Sequence, residues 1–294
     1  MLRHWSTPGC WFASESPPPQ ADKIYMIRSS LMWRVGLVMA IAAGCAAPCF
    51  GWGEEGHRLV VAIAEGLMTS AAKARVAATL MPGETLEEMG SWADQVRRTR
   101  KETEEWHYVD IPLMSAGLEM ARDCPKENCV IGKIVDFRNK WHDMSLSAES
   151  RREALLFLIH FVGDLHQPLH CENNEDRGGN DVPVLFLRAH TNLHALWDSG
   201  LLRDMEGEEH LLAALRQAIT PEEAAAWSSG TVEQWAEESF HAAQLTVYGL
   251  LPSAPAGRAA QLTELYEQMA QPVVQEQLEK AGVRLAAILN AGAQ

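Results

Sequence analysis

Positive charge is scarce in this sequence. Its 294 residues carry 25 Lys and Arg against 39 Asp and Glu, a formal net charge of −14. A protein that holds phosphates through Lys and Arg is normally basic, with its cations in a patch or stripe. No basic stripe occurs here, which excludes that mode of nucleic-acid binding. If this chain handles phosphates, bound metal ions must supply the positive charge. The apolar run from Val35 to Ala47 is short of the ~20 residues of a membrane span. Internal repeats and interior linkers are absent too, so one large domain is the expectation beyond residue 51. A hydrophobic content of 47% supplies its core.

The first fifty residues differ from the rest. Met1 to Tyr25 is rich in Pro and Ser and has no periodicity. From Met26 the order changes to Arg28 and Arg34, the apolar run, then small residues before Trp52. That is the order of a secretory signal peptide, with translation starting at Met26 or Met32. Four of the 25 basic and two of the 39 acidic residues fall within 1–51, so the remainder carries 21 against 37. Ala42-Ala43-Gly44-Cys45 offers a rival lipoprotein cleavage box, with Ala where Leu is usual.

Cysteine is sparse beyond this leader. Three of the six lie before Trp52, leaving Cys124, Cys129 and Cys171. The loop CPKENC in an exported protein reads as a local disulfide between Cys124 and Cys129. A zinc knot there would need two more cysteines, and only Cys171 remains.

The rest of the chain is rich in helical patterning. Residues 52–68, WGEEGHRLVVAIAEGLM, place Glu54 and Glu55 in a first turn and Leu59, Val60, Ile63, Ala64 and Leu67 on one stripe. Helices are predicted over 70–81, 85–100, 130–145 and 148–167. The segment EWHYVDIP, 105–112, reads as extended or irregular. A polar loop, 171–190, turns at Gly178-Gly179-Asn180 before a strand-like VPVLFL. Asn192 caps the next helix, TNLHALWDSGLL. Residues 207–292 read as helical.

Ala154 to His170, ALLFLIHFVGDLHQPLH, organises the whole. Its apolar residues leave almost no wet side, so the helix is expected to be buried. His160 and Asp164 are four apart and share a face. Pro168 ends the helix, which lets His170 turn back toward them. Two imidazoles and a carboxylate in an apolar setting suit zinc, and a plain buried His–Asp pair is the simpler alternative. His166 points elsewhere and reads as structural. His142, His190, His210 and His241 lack acidic neighbours at helical spacing and receive no role.

His194 and Asp198 repeat the four-residue spacing, and His57, Asp94 and His107 add single candidates. Eight side chains exceed the roughly four ligands of one zinc. Two or three ions sharing a bridging carboxylate, with Asp164 central, would use them. Such clusters polarise phosphoryl oxygens and activate water, which reconciles an acidic protein with an anionic substrate.

From Trp52 to Asp198 these motifs resemble the secreted, trinuclear-zinc, single-strand-specific nucleases of fungi, plants and bacteria, relatives of bacterial zinc phospholipase C. The order HFVGDLHQPLH, GGN, NLHALWD carries the likeness. The resemblance implies a mainly α, single-domain helical bundle with a short hairpin-like region. It implies Trp52 as the mature N-terminus, binding one zinc through its amine and carbonyl together with His57 and the bridging Asp164. Asp94, His107, His160 and Asp164 would hold a second zinc, and His170, His194 and Asp198 a third. It implies in-line hydrolysis of single-stranded DNA or RNA to 5′-phosphates, possible 3′-nucleotidase activity, and an exported monomer without a stable protein partner. Asp94 would orient the nucleophile, Arg97 steady the phosphoryl charge, and the third zinc stabilise the leaving 3′-oxygen. Tyr108 would stack on a base and Asp110 meet a base edge. Ser199 stands where the fungal enzymes carry a base-contacting Asn, which puts base preference in question. Lipid attachment at Cys45 would block the Trp52 amine, so cleavage after Gly51 is the expectation. Two rivals remain: a phospholipase C, which typically carries Glu where Asp198 stands, and a non-catalytic exported zinc-binding protein.

Overall fold

Apolar periodicity, side-chain caps and one proline break account for the helices on which the site is built. In the computed structural model, residues 52–291 are described, apart from 204, 206 and 256. The leader, with its signal-peptide reading, its alternative starts and the Cys45 box, lies outside the described residues. The longer helices are α1 (Glu54–Leu67), α2 (Val130–His142), α3 (Ala148–Leu165), α4 (Glu208–Ala218), α5 (Val232–Ala242) and α6 (Glu264–Ala291).

Helix α3 is the axis. Ser147 caps its first turn by accepting from the Ser150 N–H at 3.1 Å. Every residue from Ala154 to Leu165 is buried, because α2, α6, α1, α5 and the short helix Trp92–Val96 surround it. Each large apolar side chain so enclosed stabilises by about 1.5–3 kcal/mol. Phe157 and Phe161 stack at 5.3 Å, and Phe137 of α2 stacks on Phe157 at 4.7 Å. Helix α3 stops at Leu165, and Pro168 opens a 3₁₀ turn to His170, as the proline predicts.

Helix α6 lies along α1. Gly282 permits this closeness, since a Cβ there would sit 2.4 Å from Ile63 Cγ2. Leu67, expected on the buried stripe of α1, is exposed as the last residue of the helix.

Several boundaries differ from the sequence reading. The helix predicted over 70–81 ends at Ala77, where the chain tightens into a Val76 carbonyl turn. The stretch 85–100 divides into Leu86–Met89 and Trp92–Val96. Thr85 starts the first piece with a capping box, and Gly90 interrupts at a close approach to His57 O. Lys101–His107 is a 3₁₀ helix rather than irregular, and the chain becomes extended at Tyr108. The strand-like VPVLFL forms β1 (Pro183–Phe186), antiparallel to β2 (Ala189–Asn192). A third strand, β3 (Ala260–Gln261), joins β1 in parallel, giving the order β2-β1-β3. That strand falls within the stretch read as helical. Pro252 and Pro255 exclude a helix just before it, a signal present in the sequence.

The fold class stands as expected: mainly helical, with one small sheet. Cys124 and Cys129 form a disulfide, and Cys171 is a buried free thiol. Among the described residues no helix is long and apolar enough to cross a membrane.

Candidate metal centre

Six elements deliver the predicted His and Asp side chains to one buried region. Helix α1 brings His57, the Trp92–Val96 helix Asp94, the 3₁₀ helix His107, and α3 His160 and Asp164. The Pro168–His170 turn brings His170, and the segment after β2 brings His194 and Asp198. All eight side chains are buried. Their ligand-type atoms fall into three groups, His57/His160/Asp164, Asp94/His107/His160 and His170/His194/Asp198, each within 4.8 Å.

Backbone carbonyls set the imidazole tautomers. His160 Nδ1 donates to Gly90 O at 2.8 Å, His170 Nδ1 to His107 O at 2.8 Å, and His194 Nδ1 to Gly178 O at 2.6 Å. Each neutral ring is left with its Nε2 lone pair for the cluster, the arrangement that orients metal-binding histidines. Gly178 sits at φ 63°. A Cβ there would lie 2.9 Å from Leu169 O and 3.4 Å from His194 Nδ1.

Asp164 is central. Its Oδ2 lies 2.9 Å from His107 Nδ1 and 3.1 Å from His160 Nε2, and those two nitrogens are 3.1 Å apart. Its Oδ1 lies 3.4 Å from His57 Nε2. With the His160 proton at Nδ1, this triangle of electron-pair donors holds at most one proton, so it suits a cation. His57 stacks on His160 at 4.0 Å. In the third group His194 Nε2 faces Asp198 Oδ2 at 3.1 Å.

The electrostatics agree. Burial opposes ionisation of Asp164, but His160, His107 and His57 outweigh it and hold the carboxyl well below its usual range. Burial likewise opposes charge on His160, yet Asp164 and Asp94 push it up to about 9, so its Nε2 carries a proton until a cation takes that proton's place. Burial lowers His57 and His107, and takes His170 down to about 3. Burial raises Asp198 to about 6 against the pull of His194.

Metal ions fit this donor set. His57 Nδ1 and Nε2, Asp94 Oδ1, His107 Nε2, Asp164 Oδ1 and His170 Nε2 are buried without a hydrogen-bond partner. Such orphaned groups cost about 1–3 kcal/mol each, which ligation relieves. Imidazole with carboxylate is a zinc-type set.

Trp52 is fully buried. The next N–H, of Gly53, donates to Asp198 O at 2.9 Å, tying the start of α1 to the third group. Arg97 Nε lies 3.4 Å from Asp94 Oδ1. Tyr108 follows His107 half-buried, its carbonyl accepting from the Val130 N–H at 3.0 Å. Asp110 is exposed, its carboxyl raised by partial desolvation and by Asp123 and Glu105. Ser199 presses on Gly53, where a Cβ would meet its Oγ at 2.1 Å. His166 turns away and accepts from Arg284 Nη1 at 2.8 Å. The carbonyl contacts of Gly90 and Gly178, and the buried Gln167, whose Nε2 donates to Asp198 Oδ1 at 2.5 Å, received no role from the sequence. The only signal for them was their place beside the His/Asp motifs.

A mainly helical scaffold around three buried His/Asp groups that could hold metal ions has the make-up of a helical metal-dependent protein. The family model described as S1/P1 Nuclease matches residues 52–294. Endonuclease 2 of Arabidopsis thaliana is 31% identical over 82% of this chain and 90% of its own length. Nuclease S1 of Aspergillus oryzae is 30% identical, over 82% and 91%. Nuclease P1 of Penicillium citrinum is 31% identical, over 81% and 97%. The chain belongs to the S1/P1 nuclease family, zinc-dependent hydrolases of phosphodiester bonds.

Proposed function

We propose that this protein is an exported zinc-dependent nuclease. It hydrolyses single-stranded DNA and RNA to 5′-phosphate products, using three zinc ions. The observation that carries the reading is the overlap of the His57/His160/Asp164 and Asp94/His107/His160 groups beside His170/His194/Asp198. Within an acidic chain, this cluster is where an anionic phosphodiester finds positive charge.

When bound, zinc supplies Lewis acidity toward phosphoryl oxygens and lowers the pKa of water. His57 and Asp164 serve one ion, joined by the amine and carbonyl of Trp52 once cleavage after Gly51 frees that amine. Asp94, His107, His160 and Asp164 serve the second ion, and His170, His194 and Asp198 the third. Asp94 Oδ1, buried and without a hydrogen bond, accepts a hydrogen bond from the attacking water and aims it. Arg97, beside Asp94, steadies charge on the phosphoryl group. Tyr108 offers a face for stacking an unpaired base, worth about 1–3 kcal/mol per base. Asp110 and Ser199 serve as base contacts.

The test compares a single-stranded oligonucleotide, the matching duplex and phosphatidylcholine as substrates for mature protein and for Asp94→Asn. Cleavage of the single strand to 5′-phosphates, lost in Asp94→Asn with circular dichroism unchanged, is the expected result. Hydrolysis of phosphatidylcholine without oligonucleotide cleavage, or full activity in Asp94→Asn, overturns the reading.

A further inference from the structure

Gln167 is completely buried between the two metal-ligating ends of the cluster. Its Oε1 accepts from the Leu169 N–H at 2.6 Å. That bond assigns the amide, because only the oxygen accepts from an N–H. The Nε2 then faces Asp198 Oδ1, donating at 2.5 Å. Asp198 is left with Oδ2 directed at His194 Nε2. The Gln167 backbone is fixed as well: its N–H donates to Asp164 O at 3.0 Å, and Gln277 Nε2 donates to the preceding carbonyl, of His166, at 3.0 Å.

We propose that Gln167 is a positioning residue that sets how tightly the third ion is held. Its donated hydrogen bond occupies one oxygen of Asp198 and presents the other singly to the ion. The bond also satisfies that oxygen at a buried position, so the carboxylate is held in one orientation for the ion. A charged Glu cannot do this, because it would set a second carboxylate against Asp198. Its backbone N–H on the Asp164 carbonyl and its side-chain amide on Asp198 make one residue the spacer between the shared pair and the third ion. This inference rests on the three-ion reading above.

The test reads zinc occupancy. Mature wild type, Gln167→Glu and Gln167→Met are equilibrated in zinc buffers of graded free concentration, and bound metal is counted. Gln167→Glu keeps the acceptor for the Leu169 N–H but replaces the donor with a second carboxylate oxygen facing Asp198, whereas Gln167→Met removes the donor without adding charge. Both variants are expected to need about 10–100-fold more free zinc for the ion that Asp198→Asn also loses, with the other two held as in wild type. In 15N-glutamine-labelled wild type, the Gln167 side-chain amide resonances are expected to shift only as the third ion binds, which requires no variant. Three ions in wild type with unchanged occupancy in both variants refute the inference alone. So does equal weakening of all three ions, or an amide signal indifferent to the third equivalent. Fewer than three ions in wild type refutes the three-ion reading and this inference with it.

Discussion

Gly163→Ala separates the stability of this protein from its chemistry. Gly163 lies on the buried face of α3, one residue before Asp164. An added Cβ would lie 2.7 Å from His57 Nδ1 and 3.1 Å from His57 Cε1. Carbon contacts relax near 3.5 Å, so the His57 ring must shift by about 0.8 Å. The ring has little freedom, since it already stacks on His160 at 4.0 Å. Two stability terms oppose each other. Ala in a helix interior gains about 1 kcal/mol over Gly, and overpacking costs about 1–3 kcal/mol. Their sum is a modest loss of about 0–2 kcal/mol. The metal is less forgiving, because ligand distances hold within about 0.2 Å. A misplacement near 1 Å removes roughly 100-fold in rate. The variant should therefore fold, with a Tm within a few degrees of wild type, yet lose one ion and about 100-fold in oligonucleotide cleavage. Gly66→Ala is the control. Gly66 is exposed near the end of α1, and its Cβ would meet only the flexible guanidinium of Arg216, at 3.3 Å. Activity should be unchanged there. Full zinc content and wild-type turnover in Gly163→Ala would show that His57 does not sit in the working centre.

Two further outcomes follow from groups away from the reacting atoms. Burial, then Glu223 and Glu276, raises Glu279 to about 7, so its ionisation destabilises the fold. That penalty is absent below the ordinary carboxylate pKa of about 4.3, grows between there and about 7, and is complete above it. In chelator-treated protein, Glu279→Gln should gain about 1 kcal/mol at pH 8, after discounting for solvent around the side chain, and nothing near pH 4.5. Equal differences at both pH values in thermal melts would sink the assignment. The Tyr248 hydroxyl lies 3.0 Å from Glu172 Oε1 and from both Asp176 oxygens. Tyr248→Phe removes that donor and should lower unfolding free energy by about 1–3 kcal/mol. An unchanged urea midpoint would contradict it.

The parts of the site that are written in side-chain identity were readable from sequence. His160 and Asp164 at helical spacing, the proline that frees His170, and Cys124 with Cys129 each carry a local signal. What escaped depends on backbone groups brought from a distance. Gly90 O and Gly178 O hold imidazoles 70 and 16 residues away, and any residue type has a carbonyl. The glycines show why the chain can approach there, but not what it approaches. His194 and Asp198 were read on one α-helix, whereas Leu196–Gly200 is a π turn. Their side chains still meet at 3.1 Å, since one wider turn brings positions four apart near enough. Strand β3 was hidden because two residues hold no period, although the prolines ahead of it argued against helix.

The Cys124–Cys129 bond closes a loop immediately before α2, whose first N–H, from Val130, is donated to Tyr108 O beside His107. The staple thus bears on the segment that follows a ligand of the centre. Recombinant production in a reducing cytoplasm would leave that segment with one tether fewer. Material made there needs an oxidising step to restore the tether before metal is added.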